Sequence, residues 1–148
     1  MNISVRVVGP ADRERVAELL TAQLVEHDLP ADAERIERGL DAAFAPHSPA
    51  WLLVAERDGE AVGVFLANQI VSVEQGGHAL WIEELYVTPS ARRKGVARAM
   101  LEHVAAKARR RRIAALELEV VPTQAAAFAL YRALGFADVN RQRLKLSL

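Results

Sequence analysis

The residues of this chain best suited to chemistry concentrate between Leu80 and Ala108. Six of them, Arg92-Arg93-Lys94-Gly95-Val96-Ala97, join a strand-like run to a helix-like one. The first turn of a helix presents N–H groups that have no intrahelical partner, together with a partial positive charge. Gly95 has no Cβ to hold a ligand away from the backbone, and three cations precede it. The combination describes an anion site suited to phosphate. The same residues also describe a basic, solvated helix start, because a short motif is weak evidence by itself. A dinucleotide-binding turn is disfavoured, since neither G-x-G-x-x-G nor the Walker lysine pattern occurs.

Just upstream, Glu83 interrupts an otherwise apolar strand. It is either a chemically active carboxylate or a glutamate that points to solvent or pairs with an arginine, as strand glutamates often do. Strand alternation puts Glu84 on the opposite face, where a structural role is expected unless a bulge shifts the register.

The elements that must position these residues follow from periodicity and punctuation. Leu80 to Val87 is rich in β-branched and aromatic residues, and Thr88-Pro89 stops it. Val96, Met100, Leu101, Val104 and Ala108 recur at helical spacing. Earlier, Asn2 to Val8 reads as a strand, residues 10–26 as a helix striped by Val16, Leu19, Leu20 and Leu24, and residues 31–44 as a second helix. Trp51 to Glu56 and Ala61 to Val73 read as strands joined by an Asp-Gly hairpin turn, and Gln75-Gly76-Gly77 turns into the central strand. Beyond the central helix, Ile113 to Val121 reads as a strand parallel to it, reached by a right-handed crossover. A helix opened by Pro122-Thr123-Gln124 carries Phe128, Leu130, Tyr131 and Leu134, and Gly135 caps it. Phe136 to Val139 and Arg143 to Leu148 read as closing strands. The order is βααβββαβαββ: an α/β (α+β mixed) single domain over residues 1–148, with a mixed central sheet flanked by helices.

Composition narrows the classes. With 148 residues, 51% of them hydrophobic, one domain can bury a sizeable core. No apolar run approaches the ~20 residues that span a bilayer, and no signal-peptide pattern opens the chain. The absence of cysteine excludes disulfides and thiolate catalysis and fits a cytoplasmic protein. The four histidines show no ligand spacing, so no metal site is expected. The net charge is zero but uneven. Residues 11–60 hold 12 acidic and 5 basic side chains, while residues 91–112 hold 9 basic and 1 acidic. One segment favours a cationic partner and the other an anionic one, unless both are merely solvated faces. Arg109-Arg110-Arg111-Arg112 lies at a helix end, where cations meet the dipole favourably. No stacking aromatics accompany it, which argues against nucleic acid.

With these segments in place, the chain resembles the GNAT superfamily of acyl-CoA-dependent N-acetyltransferases. Arg92-x-x-Gly95-x-Ala97 matches that family's Q/R-x-x-G-x-G/A loop. Ile82-Glu83-Glu84-Leu85-Tyr86-Val87-Thr88-Pro89 matches its preceding strand, and Ala129-Leu130-Tyr131-Arg132-Ala133-Leu134-Gly135-Phe136 matches its L-Y-x-x-x-G-F segment. The resemblance implies that strands 80–87 and 113–121 splay apart and that acetyl-CoA lies in the opening. Loop amides of Arg93, Lys94, Gly95, Val96, Ala97 and Arg98 would hold the pyrophosphate beside Arg92. The segment Leu85-Tyr86-Val87 would line the pantetheine arm, with backbone groups of Leu85 and Val87 pairing to it as an added strand does. Gln124 stands where the family often has asparagine near the cofactor arm, one methylene longer.

Acetyl transfer needs a neutral amine, a fixed approach, donors for the developing oxyanion and a proton for the departing thiolate. Cysteine is absent, so direct attack in a ternary complex is the simpler route. An amine of pKa about 10 is mostly charged at neutral pH, so a base helps. The resemblance gives that role to Glu83, through a water, and the leaving-group donor role to Tyr131, otherwise a half-buried aromatic beside Phe128 and Leu134. The N–H near Val87 would face the oxyanion. The acceptor is then a small-molecule or protein amine, drawn in by the acidic N-terminal half, and a homodimer is compatible with the family. The other reading is a non-catalytic acyl-CoA-binding module.

Overall fold

The computed structural model describes residues 2–148, and the chain divides into two compact units, one ending at Leu118 and the other running from Glu119 to Leu148. The first unit holds β1 (Ile3–Val7), α1 (Arg13–Glu26), α2 (Ala33–Phe44), β2 (Ala50–Arg57), β3 (Glu60–Ser72), β4 (Gly77–Val87), α3 (Val96–Arg110) and β5 (Ala115–Glu117). The second holds α4 (Ala125–Ala133). Among the described residues the strands form one sheet in the order β1-β2-β3-β4-β5. The first three pairings are antiparallel and the last is parallel, as the crossover through α3 requires.

Local chemistry explains the boundaries. Pro10 starts a single 3-10 turn before α1, and the Asp12 carboxylate accepts from the Gly9 N–H at 2.8 Å. Asp32 caps α2, its side chain accepting from the Glu34 N–H at 2.9 Å. At the end of α4, the Phe136 N–H reaches the Tyr131 carbonyl at 3.0 Å, with Gly135 at φ 97°, the wrap a left-handed C-terminal residue permits.

Helices cover both sheet faces of the first unit. Val16 and Leu19 of α1 and Leu40 of α2 pack with Leu52, Val54, Val64 and Tyr86. The alternate residues of β2 and β3 face α3, whose buried stripe is Val96, Met100, Leu101, Val104 and Ala108. A Cβ on Gly63 would stand 3.1 Å from the Met100 sulfur and 3.2 Å from the Tyr86 carbonyl, so a glycine there lets the helix sit close. Lys107 and Arg111 lie over the Trp51 ring, at 5.0 and 5.2 Å from its centroid. At least one arginine of the basic run therefore serves packing within the fold. No helix among the described residues is long and apolar enough to cross a membrane.

Three expectations change. The strand expected over Ile113–Val121 is only Ala115–Glu117, because its ladder with β4 has three pairs, Ala79 with Ala115 through Trp81 with Glu117. Second, the regular alternation expected along Leu80–Val87 is broken by a bulge in β4, and the pairing with β5 ends there. Ile82 stands opposite Ala67 and Glu84 opposite Leu66, so Glu83 is an extra residue without a counterpart on β3. A bulge bends its strand and raises the local twist, which parts it from a neighbour. Third, the two closing strands, Phe136–Val139 and Arg143–Leu148, are not formed among the described residues. Leu144, Leu146 and Leu148 keep a strand-like alternation, yet they are 85% or more exposed. Alternation marks a strand only where a ladder and a covered face exist to use it.

Candidate active site

The turn between β4 and α3 is shaped by two left-handed residues, Arg93 at φ 59° and Gly95 at φ 83°. Among the described residues, none of the backbone N–H groups from Arg93 to Arg98 donates to an acceptor of the fold. The first backbone bond of α3 is Ala99 N–H to Gly95 carbonyl, at 2.9 Å. A run of free donors at a helix N-terminus, with no side chain capping it, is a built anion cradle. These are the loop residues expected to hold a pyrophosphate.

The cations beside the loop do less than their number implies. Arg92 faces the fold: its guanidinium meets Glu26 of α1 at 2.7 Å, donates to the Val87 carbonyl at 2.9 Å and lies 5.5 Å from the Tyr86 ring centre. It staples the loop to the end of β4 and to α1. Lys94 donates to the Ser90 carbonyl at 2.8 Å, and Arg98 pairs with Glu102 at 3.5 Å. Attraction for an anion therefore rests on main-chain dipoles more than on these side chains. Tyr86 is a core residue, packed with Val54 and Val64, and Leu85 and Val87 stand opposite Phe65 and Gly63.

The bulge decides which glutamate faces inward. Glu83 is exposed. Glu84 is half-buried and lines a cavity of about 240 Å³ beneath α1 and α2, with Leu20, Leu24, Ile36, Leu40 and Leu66. Burial, followed by the neighbouring Glu83 charge, raises the Glu84 carboxyl to about pKa 7, against a hydrogen bond from Gln23 that favours the ionised form. The buried Oε1 of that Gln23 has no partner. Plain alternation along β4 did not single out Glu84. The only sequence signal is a pair of adjacent glutamates inside an apolar strand, which a bulge would allow.

The acidic side chains of α1 and α2 turn away from this cavity. Arg13 holds Glu37 at 2.6 Å and Asp41 at 2.7 Å, Arg38 meets Glu34 at 3.7 Å, and Glu26 is taken by Arg92. The expectation that the acidic segment draws a cation into the site meets a lining with, among the described residues, one carboxylate, that of Glu84.

Tyr131 and Gln124 belong to the second unit. Tyr131 is half-buried, its ring centre 5.6 Å from that of Phe136, and burial raises its phenol pKa, so it holds its proton. Gln124 immediately precedes α4, and its carbonyl accepts from the Phe128 N–H at 3.0 Å.

A strand that runs into an amide-lined helix start, bulged beside its short parallel neighbour, defines the acyl-CoA-binding class of α/β folds. A sequence model of the acetyltransferase (GNAT) family matches residues 13–136, and the chain belongs to that family. An IAA acetyltransferase of Azospirillum brasilense is 38% identical over 86 residues, 58% of this chain and 54% of that protein. The ribosomal protein bS18-alanine N-acetyltransferase of Escherichia coli strain K12 is 44% identical over 57 residues, 38% of each chain. The matched segments thus span about half or less of these relatives. The crystal structure of a possible acetyltransferase from Clostridium difficile 630 superposes with a TM-score of 0.86 at 19% identity, covering 100% of this chain and 99% of the other, a likeness of fold.

Proposed function

We propose that the chain is one N-acetyltransferase domain over residues 1–148, moving an acetyl group from acetyl-CoA to a primary amine. The observation that carries this reading is the row of uncommitted N–H groups from Arg93 to Arg98. They suit the pyrophosphate, while Leu85 and Val87 at the end of β4 suit the pantetheine arm, with Gln124 as a further contact. Acetyl-CoA supplies an activated thioester, and this chain's residues supply position and proton handling.

Glu84, at about pKa 7, is the base in this reading, in place of Glu83. At that pKa it is about half ionised at neutral pH, and its raised basicity makes taking a proton from an ammonium less uphill than for an ordinary carboxylate, directly or through one water. Gln23 positions it by donating to the carboxylate. Tyr131, kept protonated by burial, donates a hydrogen bond to the leaving sulfur. Proton transfer from phenol to thiolate is uphill at ordinary pKa values, so a hydrogen bond is the better description of its part. The Val87 N–H is the oxyanion donor. Amines are the natural acceptors, since the relatives named above include an acetyltransferase of a protein alanine. A cytoplasmic location and a homodimer complete the reading.

The test is release of free CoA from acetyl-CoA across an amine panel. Turnover that needs both the amine and Glu84 supports the proposal. Tight CoA binding with no turnover on any amine would make the chain a non-catalytic acyl-CoA-binding module.

A further inference from the structure

Among the described residues, the cavity that holds Glu84 is lined by one other charged group, Arg35 of α2. Each of its acidic neighbours on that helix already has a cation: Glu37 and Asp41 share Arg13, and Glu34 meets Arg38. Arg35 alone among the arginines of α1 and α2 has no carboxylate partner among the described residues. It is exposed and lines the cavity, while Glu84 lines it from β4, half-buried. The walls between them are aliphatic, from Leu20, Leu24, Ile36 and Leu40.

We propose that the acceptor is a small primary amine with an apolar body and one carboxylate, the carboxylate held by Arg35 and the amine presented to Glu84. The inference rests on the acetyl-transfer reading above and names the substrate class for it. Three observations support it. A guanidinium presents a fork of donors that fits a carboxylate with two parallel bonds, and this one pairs with no carboxylate among the described residues. A cavity of about 240 Å³ lies below the usual ~300–1,000 Å³ of ligand sites, so the body of the acceptor is small. A polycation would bury further ammonium groups against aliphatic walls with no second carboxylate to receive them. Gly39 also lines the cavity, and a Cβ there would meet nothing within 4 Å, so this wall has room to be filled.

The experiment compares three sets of arylalkyl and aliphatic amines that are identical except for a carboxylate, a carboxamide or a second amine at the far end. Acetyl-CoA turnover is followed by thiol release. The acids should show the highest kcat/KM. Arg35→Ala should lower kcat/KM for the acids by about 10- to 100-fold, mostly through KM, and leave the carboxamides within about twofold, since only the acids lose a charge-assisted bond. Arg35→Lys should recover part of the loss. Gly39→Leu should penalise the bulkiest bodies most. A preference for the diamines or carboxamides, or an equal loss on all three sets in Arg35→Ala, would overturn the inference. Thermal-shift titration of the acids with CoA present separates it from the reading beneath it. Acid binding that weakens in Arg35→Ala without any turnover would leave the recognition standing and remove the acetyl transfer. Turnover of amines without acid preference would do the reverse.

Discussion

Glu84→Gln should make the protein both inactive and more stable above neutral pH. The carboxyl sits at about pKa 7 instead of 4.5 because half-burial penalises its charge and Glu83 repels it. A carboxyl raised on folding binds more protons in the folded state than in the unfolded chain between those two values. Stability therefore falls as pH rises from about 4.5 to 7 and stays lower beyond. A shift of this size corresponds to about 3 kcal/mol at full effect, and the group's remaining solvent contact reduces that to about 1–2 kcal/mol. Glutamine keeps the shape and the amide contact to Gln23 but carries no charge. At pH 8 the variant should melt ~2–6 °C higher, a gain that vanishes near pH 4.5. Its kcat/KM should fall by about 10²–10⁴-fold, the usual contribution of a positioned base. The wild-type kcat/KM should rise with pH through an apparent pKa near 7 and level off above it. Melting curves and initial rates between pH 5 and 9 measure all three. A variant with wild-type activity, or one less stable than wild type at pH 8, would refute the assignment of Glu84 as a buried, active carboxylate.

Tyr131→Phe should lower kcat while leaving the KM for acetyl-CoA nearly unchanged, because the phenol in this reading acts on the departing sulfur; steady-state kinetics with acetyl-CoA varied measure the split. Gly95→Ala should cost about 1–2 kcal/mol, since φ is 83° and nothing but the backbone conformation opposes the methyl, and CoA affinity by titration calorimetry should weaken with it. Arg92→Ala should cost about 1–3 kcal/mol by denaturant unfolding, through the lost Glu26 pair and the lost donor to the Val87 carbonyl. Addition of Glu26→Ala should cost little more, because the two removals share one interaction.

Much of this protein was legible in one dimension. Residues adjacent in sequence set the turn at Gly95, the cap at Gly135, the hairpin at Asp58-Gly59 and the helical stripes. Each depends on local geometry that a few side chains dictate. The βααβββα order and the amide cradle followed from those signals, because a helix that starts at a glycine exposes its first N–H groups wherever it sits. Long-range pairing decided the rest. Whether Glu83 or Glu84 faces the cavity depends on how β4 registers against β3, a slip of one residue that inverts every side chain beyond it. Whether acidic residues attract a substrate depends on which arginines the fold has already placed beside them. Arg92 is turned from the anion site to Glu26, a contact between residues 66 apart, while Arg35, which lines the cavity, pairs with no carboxylate among the described residues. The C-terminal residues look like strands in sequence and are not, because a strand is a property of two chains side by side and no run of letters contains its partner.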